Sequence, residues 1–147
     1  MKLIFIISVL VAAAAIFMIT KNTITPSGLG VKKGQLAIIP NSPNAVSSQA
    51  KDENKKVEPF PFKGDLKATK DTVKRILSAY GNIEIRTEEQ NYIHAVSTTP
   101  LMRYHDDLEF YFDEKAGLVH FRSASRIGYS DMGLNRERYN RLMALYK

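Results

Sequence analysis

Between Phe121 and Arg136 the chain reads FRSASRIGYSDMGLNR, a run that crowds arginine, serine and asparagine side chains into one short stretch. Chemistry of two kinds suits it. Arg122, Arg126 and Arg136, with the hydroxyls of Ser123 and Ser125, could cradle an anionic ligand, because guanidinium groups take carboxylates and phosphates through paired, charge-assisted hydrogen bonds. The same groups could instead form a structural lattice that fixes the loop, with Asp107, Glu109 and Asp131 as acidic partners and Asn135 as a helix cap. The lattice is the simpler reading, since charged networks are common as structure and are only probabilistic signs of function. A catalytic alternative is an envelope hydrolase built on Asp107, His120 and Asp131, which requires the three to converge in one concave pocket. The neighbours Asp106 and Asp107 cannot act as a close dyad, because adjacent strand residues point to opposite faces; one of them ends the preceding loop and the other sits on the sheet.

Other chemistries are disfavoured by what is missing. The 147 residues include no cysteine, which removes disulfides, thiolate metal sites, cysteine nucleophiles and the lipid attachment of a bacterial lipoprotein. His94, His105 and His120 lack close ligand spacing, so neither a metal nor another cofactor is expected. Ser47 and Ser48 lack the strand–turn–helix setting of a serine nucleophile, and Gly28 and Gly30 lack the flanks of a phosphate loop. The net charge is +6, but its cations are interspersed with acids along the whole chain, so no nucleic-acid partner is expected. Lys67, Lys70, Lys74 and Arg75 fall on one side of a helix. That side is a solvated face on the simplest reading and a membrane-surface contact on a sharper one.

These side chains need elements to hold them. Asp65 can cap a helix that Gly81 ends, with Leu66, Thr69, Val73, Ile76, Leu77 and Tyr80 on one face. The period then becomes two. Strands are expected at IEIRT, at YIHAVST closed by Pro100, at DDLEFYFD and at GLVHFRSAS. The loop EKAG pairs Phe112 with Val119 and Phe110 with Phe121 on the core side. It pairs Tyr111 with His120 and Glu109 with Arg122 on the other, where Arg126 and Asp107 also lie. A last helix, capped by Asn135, carries the stripe Tyr139, Leu142, Met143 and Tyr146. At its start Arg136 opposes the helix dipole and calls for compensation, with Asp131 the nearest candidate. The fold class is α+β: an antiparallel sheet of about four strands with two helices on one face.

Ahead of this domain lies LIFIISVLVAAAAIFMI, Leu3–Ile19, without a charge. It reads as a membrane anchor or as a signal peptide cleaved near Ala12 to Ala15. Either way the rest of the chain is expected outside the cytoplasm, anchored in the inner membrane or exported. The division is 1–20 for this segment, 21–56 for a tether rich in proline, serine and asparagine with a docked piece near 38–50, and 57–147 for the domain. In the docked piece Pro40 and Pro43 fix the backbone, and Val46 to Ala50 can lie extended along the domain. Phe60 and Phe62, between prolines, clamp onto the core.

The stretches GQLAIIPNSPNAVSSQA, FPFKG, YIHAVSTTPLMRYHDDLEFYFDE and VHFRSASRIGYSDMGLNRERYNRL, in this order, resemble the bacterial family known as domain of unknown function 1499. The resemblance covers nearly everything from Gly30 onward. It implies an exported or membrane-associated domain, often a lipoprotein, and no established activity. Many members carry two cysteines around PNSPN, where this chain has Ile39 and Ala45. Loss of both together is what a structural disulfide in the family would allow, and it speaks against essential redox chemistry. The reading that results is an envelope module that binds or supports rather than catalyses. Its partners are the membrane, through the apolar segment, and an envelope protein or a small anion.

Overall fold

The computed structural model describes residues 2–147 and opens with an apolar helix, α1 (Lys2–Thr23), of which no residue is buried. Its 22 residues have a mean hydropathy of 2.9 over the most apolar window, and by length and composition it can cross a bilayer. The hydroxyls of Ser8, Thr20 and Thr23 donate to the carbonyls of Ile4, Ile16 and Ile19, so each is satisfied within the helix. The helix therefore continues past Ile19, where the unbroken apolar run ends, up to Thr23.

Two short strands follow, β1 (Ala45–Ser47) and β2 (Phe60–Pro61), then α2 (Leu66–Tyr80). Strands β3 (Ile83–Glu88), β4 (Tyr92–Thr98), β5 (His105–Asp113) and β6 (Leu118–Ser125) form a meander, and α3 (Leu134–Tyr146) ends the chain. The sheet is antiparallel, in the order β1-β6-β5-β4-β3, with β2 also on β6. It has six strands where about four were expected. The two additions are only three and two residues long, too short to show an alternating pattern. They are recruited by the free edge of β6, with Ala45 opposite Ala124 and Phe60 opposite Val119.

Helices α2 and α3 cover one face. Asp65 caps α2 through a 2.7 Å bond from the Ala68 amide, and Gly81, at φ 82°, ends it. The β5–β6 register matches the alternation argument: Phe110 faces Phe121, Phe112 faces Val119, Tyr111 faces His120 and Glu109 faces Arg122. Phe60 sits at the centre of the core. Its ring centroid lies 5.0 Å from Tyr146, 5.8 Å from Phe121 and Tyr139, and 6.2 Å from Phe110. Burial pushes the Tyr146 hydroxyl up to about 12, while that hydroxyl donates to the Pro61 carbonyl.

The start of α3 differs from expectation. Gly133 holds the cap position at φ 84°, and the helix begins at Leu134, so Asn135 is a helical residue and not the cap. The capping acceptor is Asp131, which receives the amides of Gly133 and Asn135 at 3.0 and 2.8 Å.

Candidate functional site

On the sheet face turned away from the helices, alternation in β4, β5 and β6 brings His94, Asp107, Glu109 and Arg122 together, joined by Arg126 just beyond β6. The face is not open: all five residues are buried. Asp107 receives two bonds from Arg126, Nε to Oδ2 and Nη2 to Oδ1, each 2.8 Å, and a third of 2.8 Å from His94 Nε2. Burial alone would raise the Asp107 pKa, but the hydrogen bonds from Arg126 and His94 outweigh it and hold the carboxyl below the usual range.

The remaining donors of Arg126 are used on the chain's own amino-terminal segment. Nη1 donates to the carbonyls of Asn22 and Thr23, both at 3.1 Å, and Nη2 to the Thr25 hydroxyl at 3.3 Å. A guanidinium thus sits on the carboxyl end of α1, where the helix dipole favours a cation. Asn22 adds a second tie. Its Oδ1 accepts from the His105 amide at 2.8 Å, its Nδ2 donates to the Arg103 carbonyl at 2.9 Å, and its own carbonyl lies 2.9 Å from His105 Nδ1.

Glu109 anchors the next stretch of the same segment. Its Oε1 accepts from the Gly30 amide and the Tyr92 hydroxyl, both at 2.8 Å, and burial together with this carboxylate raises the Tyr92 pKa. Its Oε2 lies 3.0 Å from Arg122 Nη1 without hydrogen-bond alignment. Arg122 Nε and Nη1 are consequently buried without a hydrogen-bond partner. This guanidinium lines a pocket of about 530 Å³ together with Gly28, Gly30, Lys32 and Gln35.

A second network lies on the helix side. Asp106, in β5 rather than in the preceding loop, takes a 2.6 Å bond from Arg138 Nη2. Arg138 Nη1 donates to Asn135 Oδ1 at 2.7 Å and to the Ser123 hydroxyl at 3.2 Å. Asn135 Nδ2 reaches the Asn44 carbonyl and the Ser125 hydroxyl, both at 3.0 Å, and Asp131 at 2.7 Å. Ser123 and Ser125 are therefore on the other side of the sheet from Arg122 and Arg126, committed to holding α3 and the β1 segment. Arg138 was not singled out from sequence. A signal for it existed, because it precedes Leu142 by four residues on the stripe that faces the core.

Further expected contacts are absent. Arg136 does not pair with Asp131; its Nη2 donates to the carbonyls of Asn54 and Lys56 at 2.8 and 3.0 Å. His120 stacks on Tyr111 at 5.8 Å and 17°, with Ser48 Oγ 3.4 Å from its Nδ1, and burial lowers its pKa. The strand register sets it four positions from Asp107, about 13 Å along the strand, while Asp131 is committed to the start of α3. Asp107, His120 and Asp131 are thus not brought together. On α2, Lys67, Lys70 and Lys74 pair with Asp71 and Glu88 at 2.9 to 3.4 Å.

A family model described as a protein of unknown function, DUF1499, matches residues 35–145. No curated protein and no solved structure matches the chain.

Proposed function

The chain belongs to the DUF1499 family, whose description carries no activity, and from that premise we propose a membrane-anchored, non-enzymatic module of the bacterial cell envelope. In this reading the arginine-bearing sheet face is a clamp that seats the domain on the end of its own anchor. One observation carries it: the Arg126 guanidinium, its side chain 3% exposed, bridges Asp107 and the last carbonyls of α1. Each buried acid on the sheet has an arginine beside it, an arrangement that suits scaffolding better than proton transfer. The helix stays in the inner membrane, and the domain sits outside the cytoplasm.

The exposed apolar side chains of α1 favour its retention over its removal. Cleavage near Ala12 to Ala15 would leave Phe17, Met18 and Ile19, all exposed, on a soluble chain. Full-length protein made in a bacterial host is expected to resist alkaline carbonate extraction and to be digested by protease added to intact spheroplasts. Release by carbonate, or digestion only after lysis, would defeat the proposal.

Of the anion cradle suggested by sequence, Arg122 alone keeps buried donors without a bond, and this favours a second reading beside the first. A small anion such as phosphate or a carboxylate could enter the pocket it shares with Lys32.

A further inference from the structure

We infer that the domain rests on the lipid surface, with the β4–β5 loop and the loop before α3 dipping into the bilayer interface beside α1. This rests on the anchor reading above and adds a second, independent membrane contact. Outside α1, seven large apolar side chains are exposed among the described residues. Six of them, Ile24, Leu101, Met102, Tyr104, Tyr129 and Met132, belong to segments at one end of the sheet, the end where α1 is tied. Leu101 is 89% exposed and Met132 99%, values that a water-facing loop has no reason to favour for such residues.

Depth along α1 supports lipid as the occupant. A pocket of about 380 Å³ is lined by Phe17, Met18 and Lys21 from α1 and by Tyr104, Ile127 and Met132 from the domain. Phe17 and Met18 lie within the uninterrupted apolar stretch, before the polar sequence Thr20–Lys21–Asn22. The loops therefore reach down to the level where the helix is still apolar, the level of the hydrocarbon boundary. Lys21 and Arg103 stand at the same end, where lipid phosphates lie, and tyrosine is enriched at that depth in membrane proteins. A soluble protein partner would not explain why these side chains cluster around the exit of a spanning helix.

The chain has no tryptophan, so single-tryptophan variants report depth without background. Leu101→Trp and Met132→Trp probe the loops at exposed positions that tolerate the change. Val11→Trp probes α1. Lys115→Trp probes the opposite end of the sheet, about 30 Å away along β5 and β6. Each full-length variant is reconstituted in phosphatidylcholine–phosphatidylglycerol vesicles with and without brominated acyl chains. Leu101→Trp and Met132→Trp are expected to emit to the blue of Lys115→Trp and to lose intensity on brominated lipid, as Val11→Trp does, with Lys115→Trp unaffected. If either loop probe keeps its full intensity while Val11→Trp is quenched, the surface contact is refuted and the anchor stands. If Val11→Trp also escapes quenching, both readings fall.

Discussion

Replacing Arg126 with methionine isolates the clamp from every other feature of the sheet. Methionine keeps much of the side-chain volume and removes the charge. Asp107, with its side chain 2% exposed, would lose both bonds from the guanidinium and keep only His94. The end of α1 would lose the three bonds to Asn22, Thr23 and Thr25. Stranding one partner of a buried ion pair costs about 3–5 kcal/mol. For a domain of this size a kilocalorie moves the melting temperature by roughly 3–6 °C, so Arg126→Met should melt about 9–30 °C lower. The assay is a circular-dichroism melt of the full chain in detergent micelles. Arg136→Met, which loses only two surface bonds to backbone carbonyls, provides the scale and should stay within about 1 kcal/mol of the parent. The double variant Arg126→Met with Asp107→Leu should recover part of the loss, because it removes the stranded carboxylate while leaving His94 without its acceptor and the end of α1 untied. An Arg126→Met protein that melts like Arg136→Met, or a double variant no better than the single, would refute the reasoning.

Acid provides a check on the same pair. The Asp107 pKa is lowered in the folded state, so its ionic bonds add stability above the unfolded value of about 3.9, and that stability is lost as pH falls through the folded pKa. The difference in melting temperature between the parent and Asp107→Asn should shrink below about pH 4; a difference that persists undiminished into strong acid would contradict the assignment. At the other arginine, calorimetric titration of inorganic phosphate into the full chain should show saturable binding that Lys32→Ala weakens several-fold, and an absence of binding heat would close the anion reading of Arg122.

Much of this architecture was legible from period and loop length. The β5–β6 register followed because a single-residue slip would have set Phe110 against His120. The same alternation put Asp107, Glu109, Arg122 and Arg126 on one face. What alternation could not reveal was the lid over that face. Arg126 meets Asn22 across 104 residues of sequence, and the segment from Ile24 to Leu36 has no repeating pattern to announce that it docks. The serines misled for a related reason: Ser123 and Ser125 neighbour the arginines in sequence but point to the opposite side, where Arg138 and Asn135 receive them. Arg138 went unremarked because an arginine on an apolar stripe reads as an interruption until Asp106 is seen across from it.

Asn22 belongs to the final turn of α1 and is bonded at once to Arg103 and His105. These bonds hold the end of α1 directly against the β4–β5 loop and the start of β5. In the anchored reading proposed above, a head fixed in this way sweeps little volume and keeps one height and one orientation over the bilayer. For a partner that is itself membrane-bound, surface density rather than bulk concentration would then govern the encounter.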